Sequence, residues 1–579
     1  MDTYALAVQQ LKKAIENAIE KAIANGELPQ AETAPFIIET PADRSHGDFA
    51  TNAAMAGAKA FRMPPFKIAQ AITSNLDLEG TMFDRFETAG PGFINFFLGT
   101  EFYSAVIREI LANPEAYGRS EYGRDEKVMV EFVSANPTGP MHMGNARGGA
   151  LGDCLAAVLD KAGYNAWREF YVNDAGNQIE KFGCSLEARY LQIFKGDEIE
   201  FPEDGYHGDD IRELARAFYD REGEKYLDCD QKTRHDALAR FGLDNNIPKM
   251  QRDLARYGIT YDQWFFESSL HESGYVADSV QALTDLGYTY EKDGALWLNT
   301  SRILAENLKK AGKSDADIEK LGLKDDVLRR ANGFYTYFAA DIAYHRNKFA
   351  VRGFDKVINV WGADHHGHVA RLKGAMDALG LDGEHRLDIV LMQLVKLVQD
   401  GQVVRMSKRT GKAVSLTDLL DMVPVDACRY FFNAKPETQM EFDLGLAVRE
   451  DSENPVYYVQ YAYARICTLL KALAAEGYTV PDAADVDFTL LSGETEQALI
   501  KKIASYSQVV RLAARDYDPS HINRYLTELA GDFHRFYTAC RIKGEERPVL
   551  LARLKLADTA RSVLKNAMTL IGCTAPEKM

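Results

Sequence analysis

The segment from Lys127 to Val172 constrains this chain more than any other part of it. A buried strand, Val128-Met129-Val130-Glu131-Phe132-Val133, leads into a Pro/Gly loop, then a helix rich in small residues over 146–162, then a second strand from Trp167 to Val172. Runs without alternation read as strands buried on both faces, and strand, crossover helix and parallel strand make a βαβ unit of the doubly wound kind. Ligands of such sheets bind beyond the carboxyl ends of the strands, so the loop over 134–147 is the first place to look for chemistry. Strand character returns at 356–361 and over 387–398, with a helix at 369–379 between them. The charge-rich, mostly helical stretch over about 178–290 reads as an insertion between two halves of the sheet.

Ahead of this unit, residues 1–115 read as a small α/β domain. It opens with an amphipathic helix bearing Leu11, Ile15, Ile19 and Ile23, and it contains a strand-like run after Gly90-Pro91-Gly92. After Val423 almost everything reads as helix, which sets expected domains at 1–115, 116–424 and 425–579. The first helix lacks the apolar stretch of a signal peptide, and the most apolar segment, Ile389 to Val398, is too short to span a bilayer and carries Lys396. No membrane span is expected. Seven cysteines without a CxxC pair suggest neither a disulfide framework nor a zinc ribbon, so a reducing cytosol is expected. The net charge of −17 opposes a polyanion, yet Lys501 to Met579 carry 14 Lys and Arg against 8 Asp and Glu. That basic region is either a set of solvated helix faces or a surface for a phosphate backbone.

The loop after the first strand runs Ser134-Ala135-Asn136-Pro137-Thr138-Gly139-Pro140-Met141-His142-Met143-Gly144-Asn145-Ala146-Arg147. Glycine lets a ligand approach the backbone, the positive end of the following helix favours a phosphate, and His142 can donate to it. Alone, such a histidine is as readily a surface residue. A second piece, Gly401 to Lys412, places Arg405, Lys408, Arg409 and Lys412 in a glycine-bounded loop. Fixed cations on a mobile loop stabilise charge developing on a triphosphate, although by itself the loop also fits a solvated hairpin. Asp364-His365-His366-Gly367-His368 holds metal-ligand residue types, but adjacent histidines with no distal His or Cys cluster do not complete a tetrahedron, so no protein-bound metal is expected.

Together these motifs resemble class I aminoacyl-tRNA synthetases, with His142-Met143-Gly144-Asn145 in the place of the HIGH motif and Arg405-Met406-Ser407-Lys408-Arg409 in that of KMSKS. Within the class, the runs 131–145, 171–179, 336–345, 361–373, 406–411 and 454–466 look like the arginyl family, and HGDFATN with GPGFINFFL is similar to its amino-terminal tRNA-elbow domain. The resemblance implies a multidomain α/β chain: a doubly wound, Rossmann-type catalytic domain with helical insertions, between a small α/β domain and an all-helical anticodon-binding domain. It implies ATP-dependent activation of L-arginine to arginyl-adenylate and transfer to the 3′-terminal ribose of tRNA(Arg). It also implies that the first step needs bound tRNA and that Mg2+ arrives with ATP; a monomer is expected. By that likeness His142 and Lys408 are catalytic, and Gly144, Asn145, Gly362, Asp364, Met406 and Ser407 contact ATP. Glu131, Asn136, Tyr337, Asp341 and His365 contact arginine. Phe93 and Asn95 in the first domain, and Tyr461 and Arg465 in the last, meet tRNA. Three departures stand out: Asn145 replaces the second His of HIGH, Arg405 the first Lys of KMSKS, and Cys428 the Leu of the DALR signature. Asn145 can still donate to a phosphate but cannot carry charge.

Charge argues for the same substrate. A buried guanidinium needs carboxylates that grip its planar fork. Glu131 sits among apolar neighbours, and Tyr337 and Asp341 stand i, i+4 on an expected helix and can face one pocket. Without the resemblance, an edge-strand charge and an ordinary helix surface pair are the favoured readings. A cysteinyl enzyme, the architectural rival, would want zinc ligands that the scattered cysteines do not supply. Retention of both His142 and Lys408 counts against a non-catalytic tRNA-binding relative.

Overall fold

The computed structural model describes residues 2–41, 43, 46–363, 366–399, 401–404, 414–435 and 438–579. At its centre lies an all-parallel sheet of β1 (Lys127–Glu131), β2 (Asn165–Val172), β3 (Gln263–Phe266), β4 (Lys356–Gly362) and β5 (Leu387–Met392). The spatial order is β3-β2-β1-β4-β5. The winding reverses between β1 and β4, so their carboxyl ends open a crevice. Val128, Met129 and Val130 in central β1 are fully buried, which is why that strand is an unbroken apolar run. Helix α1 (Met143–Lys161) crosses one face and is rich in small residues because it lies close against the sheet. A Cβ at Gly152 would stand 2.1 Å from the Phe132 ring. On the other face, Met129, Tyr171, Phe265 and Val357 pack with Ala339, Ile342 and Tyr344 of α2 (Tyr337–Arg346) and with Leu372 and Met376 of α3 (His366–Ala378).

Three segments depart from the sequence reading. The stretch over about 178–290, expected as an insertion, leaves the sheet only as far as Arg256. Helices Asn177–Lys195, Asp209–Glu222 and Gln231–Arg256 close around Phe182, Tyr190, Phe218 and Leu238, and Gln263–Phe266 then rejoins the sheet as β3. That strand is short and set among charges, and it is held by packing, with Trp264 stacked on Phe170 at 4.2 Å. The run over 387–398, expected as one strand, breaks at Gln393 and Leu394. The Arg147 guanidinium takes those two carbonyls at 2.6 and 3.4 Å and those of Lys435 and Thr438 at 2.5 and 2.8 Å. Val395–Gln399 therefore leaves the main sheet and joins a small one with Gln402–Val404 and Met440–Asp443. The last of these is strand where helix was expected, because its period is two: Met440 and Phe442 face in, Glu441 and Asp443 out.

Helix α4 (Val425–Ala434) carries the Asp-Ala-Cys-Arg signature and joins the catalytic core to a bundle of five helices between Pro455 and Leu570. Fully buried Arg429 donates to the Ile571 carbonyl (3.1 Å), the Tyr257 carbonyl (3.3 Å) and Asp153 of α1 (2.5 Å). Asp426 accepts from the Thr574 amide (3.1 Å) and hydroxyl and from Gln460 (2.6 Å). Gly572 has φ +70°, and a Cβ there would fall 2.1 Å from Arg429 Nε. The amino-terminal unit, a four-stranded antiparallel sheet under helix Thr3–Ala24, leans on the bundle through Asp48–Lys501 and through Asp2–Arg511 at 3.3 Å.

Candidate active site

A cleft of about 1700 Å³ opens where β1 and β4 end. Beyond Glu131 the chain turns through Val133 and Ser134 at φ 70° and 41°. This left-handed conformation costs roughly 1–3 kcal/mol per residue for side chains of this kind. Hydrogen bonds hold it: the Ser134 amide to the Phe132 carbonyl (3.0 Å), Ser134 Oγ to Glu131 Oε1 (3.0 Å), and the Tyr171 amide to Ser134 Oγ (3.1 Å). The turn sends residues 134–145 along the crevice instead of straight into α1.

His142 caps α1. Its Nδ1 accepts from the Gly144 amide (3.0 Å), while Asn145 Oδ1 accepts from the His142 amide (2.9 Å). An accepting Nδ1 leaves the proton on Nε2. Enclosure lowers the imidazole below the ordinary histidine pKa, so a neutral ring presents an Nε2–H donor beside the positive helix end. Asn145 thus has two duties: its oxygen fixes the cap, and its amide nitrogen is the group that can donate to a phosphate. The loop bearing Met406, Ser407 and Lys408 lies outside the described residues, as do Asp364 and His365. Its flanks border the same turn. Val404 lines the cleft, the Val414 carbonyl accepts from the Met143 amide (3.3 Å), and the Leu416 amide donates to Met141 (2.9 Å).

The crevice floor is a chain of buried polar groups. Lys348, fully buried in a π-helical turn over Asn347–Val351, donates to Glu131 Oε2 (2.5 Å) and Asn359 Oδ1 (3.2 Å). Asn359 Nδ2 donates to His345 Nε2 (2.7 Å), and His345 Nδ1 to the Asp341 carbonyl (2.8 Å). Those two bonds require a neutral ring, and burial, then the Lys348 charge, push His345 well below the ordinary histidine pKa. Glu169 takes Arg352 in bidentate fashion (2.5 and 2.7 Å) and the Tyr344 hydroxyl (2.6 Å). Asp341 and Glu267, 7% and 4% exposed, differ. Among the described residues neither has a lysine or arginine within ion-pair reach, and Glu267 Oε2 has no hydrogen-bond partner. Asp341 first, then burial, then Glu131 and Glu267 raise the Tyr337 hydroxyl pKa. Burial, then Glu267 and Asp341, do the same for Tyr171. Asp341, Tyr337 and Tyr171 line the cleft, where the carboxylate and the phenols can meet a planar cation with several N–H donors, and Glu267 is close enough to act on both phenols.

Glu131, Asn136, Tyr337 and Asp341 all line the cleft, together with Gly144, Asn145 and Gly362. Asn136 Oδ1 accepts from Asn173 (3.1 Å). Glu131 is more engaged than its sequence suggests, with a partner on each oxygen. Reading the sequence missed Glu267, Lys348 and His345, and weighed His368 only as part of the Asp364–His368 run, where a metal site was rejected. Only His345, four residues after Asp341, carried a spacing signal, whereas Lys348 meets Glu131 across a separation of 217 residues. In the amino-terminal sheet Asn95 is buried (5% exposed), so Phe93, half-buried, is the member of that pair with surface to offer. Tyr461, 42% exposed, stacks parallel to Tyr457, and Arg465 lies 4.2 Å over the Tyr537 ring.

Three family models match the chain: Arginyl tRNA synthetase N terminal domain over residues 9–98, tRNA synthetases class I (R), catalytic domain over 106–441, and DALR anticodon binding domain over 459–579. Arginine–tRNA ligase of Acetivibrio thermocellus is 51% identical over 573 residues, 99% of this chain and 98% of the relative. That of Ruminiclostridium cellulolyticum is 52% identical over the same coverage. A solved putative arginyl-tRNA synthetase from Campylobacter jejuni superposes with TM-score 0.73 at 33% identity, covering 83% of this chain and 100% of that one. The arginyl-tRNA synthetase of Thermus thermophilus shares the fold with TM-score 0.70 at 22% identity, over 98% and 100%. With half its residues identical to arginine–tRNA ligases along nearly the whole of both chains, this protein belongs to the arginyl-tRNA synthetase family.

Proposed function

We propose that the crevice residues divide the family's reaction among them as follows. The reaction itself is ATP-dependent activation of L-arginine to arginyl-adenylate with release of diphosphate, then transfer of the arginyl group to tRNA(Arg). Asp341, Glu267 and Tyr337 receive the guanidinium, and Glu131 with Asn136 receives the α-ammonium. An oxygen of the arginine carboxylate attacks the α-phosphorus, and the bond to diphosphate breaks. His142 Nε2–H, Asn145 Nδ2–H and the amino end of α1 stabilise the charge that develops on the phosphates, and Lys408 adds a cation to them. Gly144, Gly362, Asp364, Met406 and Ser407 border the nucleotide, and His365 borders the amino acid. Mg2+ enters as part of the ATP substrate. The observation that carries the reading is the charge balance around the cleft: Glu131 and Glu169 have resident lysine or arginine partners, whereas among the described residues Asp341 and Glu267 have none.

The reading extends to the RNA. Residues 1–115, with Phe93, meet the tRNA elbow, and 425–579, with Tyr461 and Arg465, the anticodon; 116–424 holds the chemistry. tRNA must be bound before arginine is activated. The enzyme acts as a monomer in the cytosol, a setting supported by seven free thiols. Pyrophosphate exchange run with each amino acid, with and without tRNA(Arg), tests both parts. Exchange is expected with arginine alone among amino acids, and only when tRNA is present. Exchange with a different amino acid would overturn the pocket, and exchange with arginine in the absence of tRNA would overturn the coupling.

A further inference from the structure

His368, on the first turn of α3, belongs to none of the roles assigned above. Its Nε2 lies 2.8 Å from Asp341 Oδ2, and its Nδ1 lies 3.2 Å from Arg371 Nη2. A guanidinium can only donate, so Nδ1 is the acceptor and the ring proton is on Nε2. The imidazole is therefore neutral and donates to Asp341. Arg371 is itself held, by Asp326 at 2.5 Å and by the Gly367 carbonyl at 3.1 Å. Asp326 in turn accepts from the Thr300 hydroxyl at 2.8 Å. The ring is wedged between Phe338 and Trp361, with centroids at 5.2 and 5.7 Å. A chain of four side chains thus ends on one oxygen of the specificity carboxylate. Among the described residues the other oxygen, Oδ1, accepts no hydrogen bond.

The design differs from that of the neighbouring carboxylates. Glu131 and Glu169 are oriented by cations, which also neutralise them. Asp341 is oriented by a neutral donor, which leaves its charge whole. A lysine or arginine in that position would fix the carboxylate equally well but would compete with the substrate for it.

We propose that His368 is a positioning residue for arginine recognition: its Nε2–H holds the Asp341 carboxylate in the orientation that grips the guanidinium without supplying a rival charge. This rests on the assignment of Asp341 to the guanidinium. Arg371 acts through His368, by fixing the tautomer.

The test is tRNA-supported pyrophosphate exchange with His368→Phe, His368→Gln and His368→Lys, alongside Asp341→Asn, reading the KM for arginine, the KM for ATP and kcat separately. A hydrogen bond to a charged group is worth about ten-fold or more in binding. His368→Phe, which keeps the ring and loses the donor, should raise the arginine KM by about ten-fold while kcat and the ATP KM stay within about two-fold. His368→Gln, a neutral donor of similar reach, should recover most of that loss, and His368→Lys should be worse than Phe. Should His368→Phe lose its fold, judged by thermal midpoint and ATP KM, His368→Asn, too short to reach Asp341, carries the same expectation. If arginine KM is unchanged in the Phe or Asn variant while Asp341→Asn raises it, the inference is overturned and the pocket stands. If all three parameters worsen together, with both KM values rising and kcat falling, or if Gln fails as badly as Phe, His368 is merely structural and the inference is overturned too. An Asp341→Asn enzyme with normal arginine KM sinks the pocket assignment itself.

Discussion

Neutralising Asp341 separates binding from stability. Asp341→Asn keeps the shape of the side chain, and the amide oxygen can still accept from His368. What it removes is a negative charge at a site 7% exposed, with no lysine or arginine in reach among the described residues. Breaking a buried guanidinium–carboxylate pair by removing one partner costs about 3–5 kcal/mol, which corresponds to about two to four decades. Glu267 still supplies one charge nearby, so the expectation is the lower end: a loss of about two decades in kcat/KM for arginine, carried mainly by KM. Stability should move the other way. A buried carboxylate without a cation is a desolvation cost in the substrate-free protein, so the thermal midpoint of Asp341→Asn should equal or exceed that of the parent. Arginine titrations in tRNA-supported pyrophosphate exchange read the first effect and thermal unfolding without arginine reads the second. Citrulline, neutral and nearly isosteric with arginine, should be discriminated less by the variant. An arginine KM within about three-fold of the parent would refute the argument.

Three further outcomes are expected. Lys348→Met strands Glu131 with only the Ser134 hydroxyl and should lower stability by about 3–5 kcal/mol, whereas adding Glu131→Gln should restore much of it without restoring arginine binding; denaturant unfolding of the single and double variants decides. His345 is held neutral by burial, so the unfolded chain binds a proton there at a pH where the native protein does not. Stability should therefore fall with acidification below the ordinary histidine value near 6.5, by up to about 1.4 kcal/mol per pH unit from this residue, and His345→Gln should show a slope shallower by about one proton. Lys408→Ala should slow adenylate formation by about two decades while leaving tRNA affinity within a few-fold, and near-normal single-turnover activation would remove Lys408 from the mechanism.

The crevice was legible in the sequence because the buried centres of β1 and β4 appear as apolar runs, and because a turn opening a helix announces itself with Pro, Gly and His. What stayed hidden depends on distant partners. Nothing within the apolar run over 387–398 marks a break, since its cause is a guanidinium on α1. The short strand at 263–266 is defined by the ring it stacks on, not by alternation. Glu131 was legible as a buried charge, but its resident cation was not, because Lys348 is local to a different helix. Asn145 was read as a phosphate donor that replaces a histidine, and its role as the reciprocal half of the α1 cap shows only in the backbone geometry.

Grafting a foreign anticodon-reading bundle onto this core would raise a problem of charge before any problem of linker length. Arg429 and Asp426 would stay behind with the catalytic half, while the Ile571 carbonyl and the Thr574 amide would depart with the bundle. A donor chain with any side chain at the position of Gly572 would drive a carbon into the guanidinium. It would also disturb the arginine that holds Asp153, on the same helix that His142 caps. The transplantable unit is therefore α4 together with the distal tail that closes over it, and chimaeras cut between them should fail in activation even when their RNA contacts are perfect.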